Sequence, residues 1–170
     1  SPCTEDIHHS LVPVQLAWLA LLQDLPIAAA IGHSLGELTA LVAAKRWTLQ
    51  QAIAVSHIRG AALKSCEPGE MLAVAMEPAR AQAAAIEFGL TLAVVNGPRS
   101  CVLAGPSVQQ ALKALGADAR QLRVSRAFHT ESVASAAISL SEAVADHPLQ
   151  PGAPVISGVD GSPIDGAEAL

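Results

Sequence analysis

The chain has 170 residues, 51% of them hydrophobic and 15% charged, which excludes a disordered segment and gives length enough for one domain with a smaller subdomain inside it. Its net charge of -5 repels phosphate backbones, and Trp18, Trp47, Phe88 and Phe128 are its only aromatic rings, too few for base stacking, so a nucleic-acid partner is excluded. The most apolar stretch, residues 11–31, is interrupted by Pro13, Gln15, Gln23, Asp24 and Pro26 and follows no basic segment, so neither a membrane span nor a signal peptide is expected.

In chain order, residues 1–9 read as a loop, and Ser10 is placed to cap a helix with Pro13 in its first turn. That helix runs through Leu16, Leu19 and Leu22 and stops before Pro26. The wholly apolar run Ile27–Ile31 reads as a buried parallel strand. Gly32-His33-Ser34-Leu35-Gly36 follows, then a helical pattern through Leu38, Leu41 and Val42. Thr48 and Gln51 form a capping box for a further helix that reaches Leu63. Helix, strand, sharp turn, helix, helix is an α/β order.

From Met71 the rhythm changes. A strand over 71–76 precedes a helix over 77–88 that opens at Pro78, and a strand over 91–95 leads to the turn Asn96-Gly97-Pro98. Strand 100–104, a helix capped by Ser107 and Gln110 and ending near Gly116, and strand 120–125 complete a βαββαβ order, the ferredoxin-like arrangement. Residues 70–125 are therefore read as an inserted subdomain, with 1–69 and 126–170 as the surrounding core. A helix over 131–145, prolines at 148, 151 and 154, a last strand at Val155-Ile156-Ser157 and a turn over 158–163 close the chain.

Cys3, Cys66 and Cys101 form no CxxC pair, and His8, His9, His57 and His147 have no ligand spacing, so no disulfide framework and no metal site is expected. Scattered thiols fit a reducing compartment, and a cytoplasmic location is the expectation. Asn96 reads as a turn residue.

Gly32-x-Ser34-x-Gly36 has the G-x-S-x-G form of a nucleophile elbow. A serine on a tight strand-to-helix turn has strained backbone angles, and small neighbours at 32 and 36 let strand and helix pass closely. The Leu35 N–H, at a helix N-terminus, then faces a developing oxyanion. Taken alone, the pentapeptide also describes a turn capped by Ser34.

With the sixth residue, Gly32-His33-Ser34-Leu35-Gly36-Glu37 resembles the signature of malonyl-CoA:acyl carrier protein transacylases and of the acyltransferase domains of polyketide and fatty acid synthases. Ile58-Arg59-Gly60 resembles that family's arginine segment, with Arg59 at the expected 25 residues after Ser34. Gly69-Glu70-Met71-Leu72-Ala73-Val74 resembles the entry to its ferredoxin-like subdomain. Val95-Asn96-Gly97-Pro98 and Val102-Leu103-Ala104-Gly105 are similar to its central hairpin, and Val124-Ser125-Arg126-Ala127-Phe128-His129 to its histidine segment. The resemblance covers nearly the whole chain and implies a hydrolase-like α/β core with a ferredoxin-like insert.

It also implies roles. Ser34 is the acyl-accepting nucleophile, His129 the general base, Arg59 the clamp for the free carboxylate of a malonyl group, and Leu35 an oxyanion-hole N–H. Phe128 narrows the pocket beside the acyl α-carbon, which marks the malonyl-selecting type, and His33 is a substrate-facing or supporting residue. The chemistry suits these roles. A serine hydroxyl needs a base, imidazole titrates near neutral pH, and a guanidinium grips a carboxylate with two parallel hydrogen bonds. Without the resemblance, Arg59 also reads as a solvated charge near a helix end, and His129 as a core histidine.

The implied substrates are malonyl-CoA and the phosphopantetheine thiol of an acyl carrier protein, with neighbouring synthase domains as further partners and no bound cofactor. The chain departs from the family pattern in three ways. No Gly-Gln-Gly segment precedes Ser34, the later glutamine segment is absent, and Arg126 stands where histidine is usual, with Thr130-Glu131-Ser132-Val133 after the histidine. The first two point to a fragment of a larger domain or to a truncated gene product. Two alternatives follow: a serine thioesterase or hydrolase with Asp118 as its acid, or a non-catalytic remnant in a synthase.

Overall fold

The structure, a computed structural model, describes residues 4–22 and 24–165. Cys3, the start of the expected opening loop and Gln23 lie outside the described residues. Backbone contacts divide the chain into two compact units, one formed by Glu5–Lys64 with Ala136 onward and the other by Ser65–Ser135.

In the first unit, helix α1 spans Thr4–Leu21, so the segment expected as a loop is helical from Thr4 and Pro13 lies inside the helix. A proline forfeits one backbone bond there. Val12 and Leu16, 0% and 4% exposed on either side of it, anchor both turns in the core and carry the helix through. Strand β1 is only Ala30–Ile31, parallel to β6 at Val155–Ile156. It is not the buried strand expected over 27–31: Ile27 is 38% and Ile31 70% exposed. Its one described neighbour leaves the other edge open, so the apolar run pairs only at its end.

Helix α2, Gly36–Ala43, follows the elbow, and Lys45 closes it in the left-handed region at φ 60°. The Lys45 N–H donates to Val42 O and the Arg46 N–H to Leu41 O, a Schellman ending. Helix α3, Leu49–Lys64, carries the expected capping box: the Thr48 N–H donates to Gln51 Oε1 at 2.8 Å and the Gln51 N–H to Thr48 Oγ1 at 3.2 Å. Val12, Leu16, Leu41, Val55, Val144 of α6 (Ala134–Ala145) and Val155 meet in one core. Each such side chain contributes about 1.5–3 kcal/mol by leaving water.

The second unit holds β2 (Glu70–Val74), α4 (Pro78–Glu87), β3 (Thr91–Gly97), β4 (Ser100–Gly105), α5 (Gln109–Leu115) and β5 (Ala119–Gln121). This is the expected βαββαβ order. Its sheet runs β3-β4-β2-β5 with every neighbour antiparallel. Leu72, Cys101 and Leu103 pack with Ala81, Ala85 and Val108, whereas Met71, Val102 and Ala104 pack with Ala127, the two-residue alternation of strands.

Details differ from the expectation. Strand β3 extends through Gly97, which pairs with Ser100, so the turn is Pro98-Arg99 and Asn96 belongs to the strand. Helix α5 is not held by a Ser107–Gln110 box. The Glu70 carboxylate accepts the Val108 N–H at 2.8 Å, because β2 begins beside that helix end. Strand β2 stops at Val74 and β5 at Gln121, and a 3-10 turn, Glu131–Val133, precedes α6. Among the described residues no helix is long and apolar enough to cross a membrane.

Candidate active site

Ser34 sits between β1 and α2 at φ 52°, in the left-handed region that L-residues avoid. The Gly36 N–H donates to His33 O at 2.9 Å and the Glu37 N–H to Ser34 O at 3.0 Å, which winds the turn tightly. Leu35 is the N-cap of α2, and among the described residues nothing accepts its N–H. This free donor at a helix start is suited to an incoming oxyanion. A Cβ at position 32 would overlap the backbone of Gly36 and Glu37, so Gly32 is required by close approach. Gly36 is not: a Cβ there meets nothing within 4 Å, which corrects the expectation that both glycines serve the crossing. Leu35 is buried, Ser34 half-buried and His33 exposed.

Arg59 reaches the same place from α3. Ala52, Val55, Ser56, Gly60 and Leu63 form the buried stripe of that helix, and Arg59 sits on its rim. Its Nη2 donates to Ser34 Oγ at 3.3 Å. Burial pushes the guanidinium's pKa down, and the negative charge of Glu37 opposes that shift. Serine oxygen, helix-start N–H and a desolvated cation thus converge within one unit, a geometry for receiving a carbonyl carbon on the serine and an anionic group beside it.

Glu37, the last residue of the motif, has a place in the site that the motif alone does not reveal. It is 8% exposed, and its Oε1 accepts the Gly158 N–H at 3.0 Å and the Ser157 hydroxyl at 3.4 Å. The available signal was an acidic residue in the first turn of an otherwise apolar helix, where Leu38, Ala40 and Leu41 are all buried.

His129 and Phe128 belong to the second unit. His129 has φ 60°, again left-handed, and is exposed, which rules out a core histidine. Ala127, 1% exposed, anchors the segment: a Cβ on Gly69 would stand 2.7 Å from its Cβ, the Gly69 N–H donates to Ser125 O at 3.1 Å, and the Thr130 hydroxyl donates to Ala127 O at 2.7 Å. Phe128 is half-buried against the cluster of Met71, Val102 and Ala104. The Arg126 guanidinium donates to Ser125 O at 2.8 Å. Asp118 is exposed at the end of the 3-10 turn Gly116–Asp118, without the burial of an orienting acid.

Hollows flank the elbow and helix α1 among the described residues of the first unit. An open groove of 420 Å³ runs beside the elbow along His33, Gly36, Thr39 and Ala43. A more apolar hollow of 450 Å³ under Leu16, Leu22, Val42 and Leu49 holds none of the candidate residues.

Residues 3–166 match the family model described as acyl transferase domain. The chain is 37% identical over 146 residues to highly reducing polyketide synthase PKS2 of Leptosphaeria maculans, an alignment covering 76% of this chain and 6% of that protein. It superposes on the acyltransferase domain of an iterative polyketide synthase in enediyne biosynthesis with a TM-score of 0.86 and 32% identity, covering 99% of this chain and 49% of that one. It superposes on malonyl CoA-acyl carrier protein transacylase from Burkholderia pseudomallei with a TM-score of 0.88 and 25% identity, covering 98% of this chain and 63% of that one. The chain thus spans about half to two thirds of these solved structures and a small part of the synthase. An elbow serine, a βαββαβ sheet and a family match across nearly every residue agree, and the chain belongs to the acyltransferase domain family of polyketide and fatty acid synthases.

Proposed function

We propose that this acyltransferase chain moves a malonyl-type acyl group from coenzyme A onto Ser34 and then onto the phosphopantetheine thiol of an acyl carrier protein. The observation that carries the reading is the Arg59 guanidinium at 3.3 Å from Ser34 Oγ, desolvated by its surroundings. A cation beside the nucleophile suits an acyl group with a free carboxylate. An enzyme acting on neutral esters has no use for it, which argues against the hydrolase alternative.

In the first half-reaction Ser34 gives its proton to His129, the base assigned from its motif. Its oxygen bonds to the thioester carbon, and the oxyanion faces the Leu35 N–H. The C–S bond then breaks, and coenzyme A leaves as the thiol with the proton held by His129. The carrier thiol repeats the sequence in reverse: its sulfur bonds to the acyl carbon, the ester C–O bond breaks, and Ser34 regains its proton. Arg59 holds the acyl carboxylate with two parallel hydrogen bonds throughout. Phe128 is assigned to the malonyl-selecting wall, and His33 to the substrate-facing rim. No step calls for a metal or a bound cofactor. Neighbouring synthase domains are the natural partners of such a chain, as its polyketide synthase relative is multidomain in size.

The test is transfer to a phosphopantetheinylated carrier protein with malonyl-CoA and acetyl-CoA in competition. Arg59→Ala should lower the malonyl-over-acetyl preference roughly tenfold to a hundredfold, since a charge-assisted bond contributes about 1.5–3 kcal/mol. An unchanged preference would remove Arg59 from the acyl pocket.

A further inference from the structure

The elbow needs something to hold it. A non-glycine residue at φ 52° persists only where its surroundings over-determine the backbone. Three observations locate what does so. The Glu37 backbone lies against Gly32, so close that a Cβ at 32 would collide with it. The Glu37 carboxylate, buried at 8% exposure, accepts the Gly158 N–H at 3.0 Å and the Ser157 hydroxyl at 3.4 Å. Gly158 in turn lies so near Gly32 that a Cβ on it would overlap the Gly32 carbonyl oxygen.

Strand β1, the start of α2 and the turn after β6 are therefore packed backbone to backbone, and one carboxylate links the last two. The turn is itself fixed: the Ile164 N–H donates to Val155 O at 2.8 Å, the Ser157 N–H to Ser162 O at 2.8 Å, and the Asp160 carboxylate accepts the Ser162 N–H at 2.9 Å. Glu37 thus ties the strained serine to a braced hairpin 121 residues further along the chain.

We infer that Glu37 is a positioning residue, whose bond to the Gly158 N–H holds the Ser34 elbow in its reactive, left-handed conformation. Glu37 does not touch the acyl group; it acts through the elbow. Its effect falls on the rate of serine acylation and leaves recognition of the acyl carboxylate to Arg59. The inference rests on the proposed function only for its kinetic readout, because the conformation of the elbow is measurable without turnover.

The experiment compares wild type, Glu37→Gln and Glu37→Met in the purified chain. Glutamine keeps an oxygen to accept the Gly158 N–H; methionine fills a similar volume with no such acceptor. Hydrogen exchange of the amides of 32–37 and 158 is followed by mass spectrometry, with single-turnover acylation from malonyl-CoA in parallel. The Gln variant should match wild type in exchange and acylate within about threefold of it, by analogy with a retained hydrogen bond. The Met variant should exchange the elbow and Gly158 amides at least tenfold faster and lose acylation rate in kcat, with KM for malonyl-CoA nearly unchanged, since a lost neutral-to-charged bond is worth roughly tenfold or more. Unaltered exchange in the Met variant, or loss of acylation in a folded Gln variant, would overturn the inference. Loss of acylation in a folded Gln variant overturns the inference even if the Met variant does not fold. If wild type gives no acylation while the exchange pattern follows this order, the proposed function fails and the tether stands.

Discussion

Ser34, Gly32 and Arg59 show how much of the site is written in single residues. The left-handed serine costs about 1–2 kcal/mol, and the elbow spacing Gly-x-Ser-x-Gly announces it in the sequence. Only Gly32, however, is fixed by crowding against the Glu37 backbone, whereas position 36 opens on free space. Gly32→Ala should therefore destabilise the chain by about 2 kcal/mol or more through forced backbone movement, and Gly36→Ala should stay within about 1 kcal/mol of wild type. Thermal unfolding monitored by circular dichroism distinguishes the two, and equal losses would contradict the crossing described here. The approach of Arg59 to Ser34 was legible only through the family resemblance, since by residue pattern alone Arg59 reads as a solvated charge near a helix end. The role of Glu37 was not legible. Its partner lies 121 residues away, and no local spacing reports a contact of that separation.

At the level of elements, boundaries followed chemistry where the chemistry was local. The Thr48–Gln51 capping box and Pro78 at the start of α4 stand where the sequence put them. Where the structure disagreed, a tertiary partner had replaced a local one. Helix α5 is held chiefly by Glu70, reaching from β2, with a long 3.5 Å bond from the Gln109 N–H to Ser107 Oγ, and not by a reciprocal Ser107–Gln110 box. The Val108 N–H, more than the side chains of Gln109, Gln121 and Ser107, draws the Glu70 carboxyl below its ordinary value of 4.5. A carboxyl whose folded pKa is depressed adds stability above its unfolded pKa and loses it as pH falls through the folded value. Glu70→Gln should accordingly melt below wild type at neutral pH, and the gap should close in acid, below pH 4.5. A gap that persists unchanged into acid would deny the ionised cap. Pro13 misled for the opposite reason: burial of Val12 and Leu16 outweighs the one bond proline removes, so α1 runs through a residue that reads as a helix start.

Across the whole molecule, the order of elements was the most legible feature. The βαββαβ segment emerges from alternating and helical periods alone, and its sheet forms with the alternation those periods imply. Burial of the first strand was not legible, because an apolar run states only that a strand suits an interior. Ile27 and Ile31 remain exposed, as do Trp18 and Leu21 of α1 at 66% and 75%. The proposed function joins these observations through acyl transfer by Ser34, and its most direct test is the mass of the intact chain after mixing with malonyl-CoA, with Ser34→Ala alongside. The account predicts a single malonyl adduct on wild type that is absent from the Ser34→Ala chain. An adduct of equal yield on both chains, or none on a folded wild type, would contradict it.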